Sequence, residues 1–283
     1  MPTLKDFAGP TPAWCAHCAN FGLLQAVKLA LVQQGLEPWQ VVLVSGIGQA
    51  AKLPQYLKCN YFNGLHGRAL PAATGIKAAN SALPVLVTSG DGDLYGEGGN
   101  HLLHTMRRNP DLTILCHDNQ VYGLTKGQAS PTSEAGFVTR VQRTGSHDAR
   151  FNAVSLGVLL RVPFVARGFA RDFEQLAGLI AEGMATRGLA LIDVLQECVT
   201  FNHVNTDAWY RERIYNLEEG HDPTDRVAAL ARAEEWDERI PLGVIYRCER
   251  EVWGDQIPAM QAGPVIARQR DPREAERLME EFT

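Results

Sequence analysis

The sequence predicts an α/β fold: a parallel sheet with helices on both faces. Three short apolar runs carry that reading, "QVVLVSGIG" (40–48), "LPVLVTSGDG" (83–92) and "LTILCHDN" (112–119), each ending in a glycine or polar turn. Helix-periodic stretches alternate with such runs along the chain. A strand that is apolar at successive positions, not at every second one, is buried on both faces, as in a helix-covered parallel sheet. In sheets of this kind ligands gather at the carboxyl ends of the strands.

Taken in order, Asn20 reads as the cap of a first helix, in which Phe21, Leu24, Val27 and Leu31 recur at helical spacing before Gly35 ends it. Strands follow at 40–48 and 83–92. The stretch "GGNHLLHTMRRNP" is helical and leads to the strand at 112–119. Residues 125–150 are polar and interrupted, longer than an ordinary connection, and so read as a functional loop. "VPFVARG" (162–168), a helix around 172–186 and "LALIDVLQ" (189–196) continue the alternation. From about 218 the chain is charged and reads as a peripheral wrap, with a helix near 224–236 and a strand "LGVIYR". No clean linker is evident. Residues 1–217 are therefore expected to form one domain, and 218–283 a C-terminal extension packed on it.

A chain of 283 residues can bury a full core, and 45% hydrophobic with 21% charged residues is ordinary for a globular protein. A formal net charge of −5 argues against nucleic acid as a partner. No apolar run is long enough to cross a bilayer. "MPTLKDFAGPTP" lacks the apolar region of a secretory signal. Six scattered cysteines do not form a small disulfide scaffold, which points to a reducing cytoplasm and favours metal, cluster or catalytic roles for any functional thiols.

The most informative stretch is "SGDGDLYGEGGNHLLHTMRRNPDLTILCHDNQVYGLTKGQ" (89–128). It does not satisfy the dinucleotide spacing G-x-G-x-x-G, because Tyr95 stands at the third glycine position after Gly90 and Gly92. A Walker phosphate loop is absent as well. What remains is Asp91 in a Gly-Asp-Gly turn at one strand end and Asn119 at the end of the next strand. One helical crossover separates them, and a right-handed crossover returns the chain beside its starting strand. A carboxylate and an amide oxygen meeting there suit Mg²⁺ shared with a diphosphate, and the glycines let backbone N–H groups approach that diphosphate. A bare G-D-G is usually no more than a turn. The second oxygen ligand after a single crossover favours a cofactor site.

This pattern resembles the thiamine-diphosphate motif. With "SGIG" (45–48), "LHGRALPAATGIKAAN" (65–80), "HDNQVYGLTKGQASPT" (117–132), "GLALIDVLQEC" (188–198) and "NTDAWYRERIY" (205–215), the chain is similar to the β subunit of 2-oxoacid:ferredoxin oxidoreductases over roughly residues 10–250. The resemblance implies the diphosphate-binding half of a thiamine-diphosphate fold. It further implies oxidative decarboxylation of a 2-oxoacid to an acyl-CoA, with electrons passed through an iron–sulfur cluster to ferredoxin. Asp91, the Asn119 side chain and the Val121 carbonyl become Mg²⁺ ligands. Gly90, Gly92 and Asp93 would lie along the diphosphate, and Gly46, Ile47, Gly48 and Gly123 belong to the same cofactor-binding turns. Lys52 and Lys126 match family lysines near the reacting centre, where a fixed cation can hold a substrate carboxylate; a surface role is favoured for Lys58 and Lys77. Leu124 would line the side-chain pocket, and His66 and Arg68 would contact phosphate or carboxylate, with a structural salt bridge an open alternative for Arg68. His101, His104, His117 and His203 read as structural or surface residues.

By the same resemblance, Cys15 and Cys18 of "AWCAHCAN" and the distant Cys198 match three of four cysteines that hold a [4Fe-4S] cluster. The fourth family position is Gln49 here, a poor iron ligand beside thiolates. Cys59 is the nearest further thiol and a doubtful replacement, while Cys116 and Cys248 read as core thiols. The carboxylate that activates thiamine is expected on a partner α chain that bears the pyrimidine-binding domain, within an (αβ)₂ assembly. Pyruvate and 2-oxoglutarate are the candidate substrates, with a lean toward 2-oxoglutarate. Two other readings stay open: a thiamine-dependent decarboxylase or carboligase subunit without redox function, and a scaffold subunit holding zinc through Cys15 and Cys18.

Overall fold

The computed structural model describes residues 1–217, 220–269 and 272–281. The amino-terminal half runs α1 (Asn20–Gln33), β1 (Val42–Ser45), β2 (Asn60–Asn63), α2 (Ala69–Ala79), β3 (Val85–Gly90), α3 (Gly99–Arg108) and β4 (Leu112–Asp118). A small hairpin follows, β5 (Val121–Tyr122) with β6 (Gln128–Ala129), then α4 (Ala153–Leu159), β7 (Phe164–Phe169), α5 (Phe173–Ala185) and β8 (Leu189–Leu195). The rest comprises α6 (Asp207–Arg211), β9 (Ile214–Asn216), α7 (Arg226–Glu234), β10 (Ile240–Arg247), α8 (Pro258–Gln261) and α9 (Pro272–Glu280).

One sheet of eight strands has the order β2-β1-β3-β4-β8-β7-β10-β9. The first six in that order are mutually parallel, while β10 runs antiparallel to β7. The predicted apolar runs are its central strands, and every residue of β4 and β8 is buried. Alternate side chains enter opposite layers. Leu43, Leu86, Leu115 and Ile192 pack under Leu23, Val27 and Leu31 of α1 and Ile180 of α5. Val44, Val87, Ile114 and Leu191 pack under Leu70, Leu102 and Met106 of α2 and α3, with Val158 of α4. Each such burial contributes about 1.5–3 kcal/mol.

Three expectations need correction. Asn20 is the first helical residue and not the cap: Ala19 occupies that position in helical conformation with no side-chain bond. The Asn20 carboxamide oxygen lies 2.9 Å from His117 Nδ1, and Thr88 Oγ1 lies 2.7 Å from the other ring nitrogen. Burial pushes this imidazole down to about 3, so it is neutral; Nδ1 carries the hydrogen, and Nε2 accepts from Thr88. Lys77 is not a surface residue. Its buried ammonium reaches Asp111 Oδ2 at 2.8 Å and the Leu83 carbonyl at 3.1 Å. Finally, the region after 218 is more than a peripheral wrap, because β10 extends the sheet and Ala229, Ala233 and Ile245 enter the core.

From β1 the chain passes first to β2 on one side and then, through α2, to β3 on the other. The connections diverge, and a crevice opens at the carboxyl ends of β1 and β3.

Candidate active site

Asp91 directly follows β3 in this crevice and Asn119 directly follows the adjacent β4; Gly90 and His117 stand opposite one another in the ladder. Asp91 is buried, and its Oδ2 accepts hydrogen bonds from Ser130 Oγ and Thr132 Oγ1, each at 2.6 Å. Burial pushes the carboxyl up to about 6, against the pull of those two hydroxyls. The Asn119 oxygen accepts the Val121 N–H at 3.0 Å, an Asx turn that carries Gln120 through φ +58 and starts the β5–β6 hairpin. Ser130 and Thr132 follow directly after β6, so the long loop predicted at 125–150 supplies the hydroxyls that hold the aspartate.

Glycine is required at two positions by close approach. A Cβ on Gly92 would stand 2.3 Å from a Tyr122 ring carbon, and one on Gly46 would stand 2.0 Å from Asp93 Oδ2. Asp93 works as a knot. Its Oδ1 accepts from the Ile47 N–H (3.1 Å), the Gly67 N–H (2.7 Å) and His66 Nδ1 (2.7 Å), and its Oδ2 from Ser89 Oγ. The side chain thus ties the glycine turn after β1 to the turn before α2.

Of the predicted cofactor residues, Ile47, Gly48, His66, Gly90, Asp91, Gly92, Asp93, Asn119, Val121, Gly123 and Leu124 line one cleft of about 90 Å³. Gly46 sits behind it against Asp93. Lys52, Arg68 and Lys126 are not on its wall: Lys52 is half-buried, and Arg68 and Lys126 are exposed, with Lys126 at φ +83 beside the lining residues Leu124 and Thr125. Arg68 makes no salt bridge among the described residues; its guanidinium reaches only the Gly67 carbonyl, at 3.5 Å.

Sequence reasoning missed what lies beneath the cleft. The Thr132 hydroxyl is 2.7 Å from Asp118 Oδ1 as well as 2.6 Å from Asp91. A hydroxyl has one hydrogen, so one of the two carboxyls must donate. Asp118 is the candidate, pushed well up by burial and then by Asp193 and Asp91. Asp193 accepts from Tyr95 OH at 2.7 Å and lies 4.0 Å from Nε of the fully buried Arg167. An apolar run interrupted by single polar residues, as at Arg167 and Asp193, is the signal that could have exposed this network.

A second pocket adjoins the first. Cys15, Cys18 and Cys198 line it with Gln49, and Gln49, Asn119 and Gly123 belong to both walls. The C-x-x-C forms a tight turn, with the Cys18 N–H on the Cys15 carbonyl at 3.1 Å and His17 at φ +63. Thr200 Oγ1 donates to Cys15 Sγ at 3.2 Å, and burial pushes the Cys18 thiol up to about 11. Among the described residues no three His, Cys, Asp or Glu side chains converge on a single metal ion. Cys59 is not brought to this pocket. It packs against the α1 layer, where burial pushes its thiol up to about 12. Cys116 is a buried core thiol, as expected, and Cys248 is half-buried against the same α2–α3 layer.

Among the described residues no helix is long and apolar enough to cross a membrane. Residues 43–194 match the family model for the thiamine pyrophosphate enzyme C-terminal TPP binding domain, and residues 198–262 match the model for the C-terminal part of the pyruvate ferredoxin oxidoreductase β subunit. The chain is 43% identical to subunit beta of 2-oxoacid:ferredoxin oxidoreductase 2 from Aeropyrum pernix, over 90% of this chain and 86% of the relative. It is 42% identical to the subunit beta of the Saccharolobus solfataricus 2-oxoacid:ferredoxin oxidoreductase, over 83% and 82%. A solved 2-oxoglutarate:ferredoxin oxidoreductase from Magnetococcus marinus, with 2-oxoglutarate, coenzyme A and succinyl-CoA bound, superposes with a TM-score of 0.90 at 31% identity, over 98% of this chain and 96% of that one. The parallel sheet, the Asp91–Asn119 pair at its switch point and these matches together assign the chain to the β-subunit family of the 2-oxoacid:ferredoxin oxidoreductases.

Proposed function

We propose that the chain is the thiamine-diphosphate-binding half of an enzyme that oxidatively decarboxylates a 2-oxoacid to its acyl-CoA. The carrying observation is the placement of Asp91 and Asn119 at adjacent strand ends, in a cleft whose glycines bring backbone close to any occupant. A buried carboxylate, a carboxamide oxygen and the Val121 carbonyl form an oxygen donor set suited to Mg²⁺ and a diphosphate. Thiamine diphosphate supplies the carbanion chemistry when bound.

The chain's own residues bind and orient. Ser130 and Thr132 hold Asp91 in one rotamer, Asp93 locks the turn after β1, and His66 lines the cleft beside it. Leu124 is partly exposed on the wall, ready to face a substrate side chain, with Lys126 two residues on, where its ammonium can meet a substrate carboxylate. Lys52 is assigned the same role from the opposite loop. 2-Oxoglutarate is the preferred substrate in this reading, because the solved relative that superposes over nearly the whole chain is described with it.

Cys15, Cys18 and Cys198 are assigned to three corners of a [4Fe-4S] cluster, a reading supported by three thiols from two parts of the chain lining one pocket that adjoins the cofactor cleft. Electrons would leave through it to ferredoxin. An α subunit would supply the activating carboxylate in a cytoplasmic (αβ)₂ complex. Gln49 is the observation that keeps a non-redox thiamine carboligase as the second reading. An assay of the purified αβ complex with pyruvate, 2-oxoglutarate and coenzyme A, with a viologen acceptor, separates them. Acyl-CoA formed with acceptor reduction supports the first reading, and carboligation products without reduction support the second.

A further inference from the structure

The wall between the two pockets carries a group that neither pocket explains. Gln49 follows the β1 glycine turn, and its carbonyl accepts from Trp14 Nε1 at 3.0 Å, which fastens it to the segment bearing Cys15 and Cys18. Its side-chain oxygen is buried without a hydrogen-bond partner among the described residues. On the same pocket wall, the Gln196 Oε1 and the Glu197 Oε2 are also buried and unpartnered, on side chains 1% and 4% exposed. An oxygen left unpaired in this way keeps the full cost of its lost hydration. All three residues line this pocket with the three thiols, and each leaves an oxygen open to a donor or a cation, while the other Glu197 oxygen, Oε1, is held by Arg171. Cys59 is not the missing ligand, since it stays off the pocket wall and packs into the apolar layer under α1.

We propose that the Gln49 carboxamide oxygen is the fourth iron ligand of a cluster held by Cys15, Cys18 and Cys198, and that the iron it holds faces the thiamine cleft and is exchangeable. The inference rests on the cluster reading above. Gln49 lines both pockets, so the corner it holds is the one nearest the cofactor. A neutral oxygen binds iron less firmly than a thiolate does. Replacing one thiolate by an amide also removes a negative charge from the cluster's surroundings, which raises its reduction potential. Because the oxygen–iron bond is the weakest of the four, the Gln49-bound iron is the first to leave once the cluster is oxidised.

Ferricyanide provides the test, because it accepts one electron. The [4Fe-4S]²⁺ state then yields [3Fe-4S]⁺ and one Fe²⁺, with ferrocyanide as the other product, and no cysteine–iron bond to the remaining three irons need break. The subject is the anaerobically purified αβ complex, followed by iron and sulfide analysis and by EPR. Wild type should lose one iron of four, show the three-iron signal and regain the iron from added Fe²⁺. Gln49→Cys and the isosteric Gln49→Glu, each checked for an unchanged thermal melt, should keep all four irons under the same treatment. A full cluster in wild type that resists ferricyanide as well as Gln49→Cys does would overturn the inference and leave the cluster reading intact. Wild type and both variants free of iron and sulfide would overturn both together.

Discussion

At the scale of single residues, the site depends on one carboxylate held by two hydroxyls. Asp91 Oδ2 receives Ser130 and Thr132, so its geometry is fixed by a loop remote from it in sequence. Thr132→Val keeps the shape and removes one donor. A hydrogen bond to a charged group is worth about 1.5–3 kcal/mol, so thiamine diphosphate should bind on the order of tenfold to a hundredfold more weakly. Calorimetric titration at saturating Mg²⁺ reads this, and an unchanged Kd would remove Thr132 from the site. Lys126 makes the opposite case. It is exposed at the edge of the cleft, and Lys126→Ala should lower turnover by about tenfold to a hundredfold while cofactor affinity stays put. Equal rates would return it to the surface. The thiols separate as sharply. Cys59, pushed up to about 12 by burial, should resist alkylation in the native iron-free protein at mildly alkaline pH, whereas the exposed Cys15 should react. Rapid labelling of Cys59 in a mass-spectrometric time course would show that it is not packed against the α1 layer.

At the scale of elements, the central strands were legible because burial on both faces leaves a continuous apolar run, and β3, β4, β7 and β8 each lie within two residues of the expected spans. The edge strand β2 was not, since all four of its residues are exposed and Tyr61 with Phe62 alone, between two asparagines, is too short an apolar run to read as a strand. Gly-Asp-Gly and the distant asparagine were legible as a pair, because one helix and one strand separate them. Ser130 and Thr132 were not, as a loop's path has no periodicity to read. Lys77 misled for a related reason: its partner Asp111 lies beyond α3, and only the folded chain brings them to 2.8 Å. The hairpin β5–β6 couples these parts, because the Tyr122 ring lies against Gly92 while its hydroxyl donates to the Gly92 carbonyl at 3.1 Å. Gly92→Ala should push the hairpin from the aspartate turn at a cost of about 1–3 kcal/mol. Cofactor affinity should fall with it, and a wild-type melting temperature with wild-type affinity would contradict that packing.

At the scale of the whole molecule, the chain presents the Asp91–Asn119 cleft and a cysteine-lined pocket side by side, sharing Gln49, Asn119 and Gly123. The activating carboxylate is expected from another polypeptide. The isolated chain should therefore show no decarboxylation of 2-oxoacids, with activity appearing only on mixing with the α subunit; steady turnover by the chain alone would show that the partner is unnecessary. The central claim is that the crevice at the ends of β1, β3 and β4 holds thiamine diphosphate through a cation bound by Asp91 and Asn119. The most direct measurement is cofactor occupancy of the purified αβ complex bearing Asp91→Ala, determined beside wild type by quantifying thiamine diphosphate and magnesium released on denaturation. Wild type should carry both, and the variant, with unchanged assembly by size-exclusion chromatography, should carry neither. Full occupancy in an assembled Asp91→Ala complex would place the cofactor elsewhere and contradict the account.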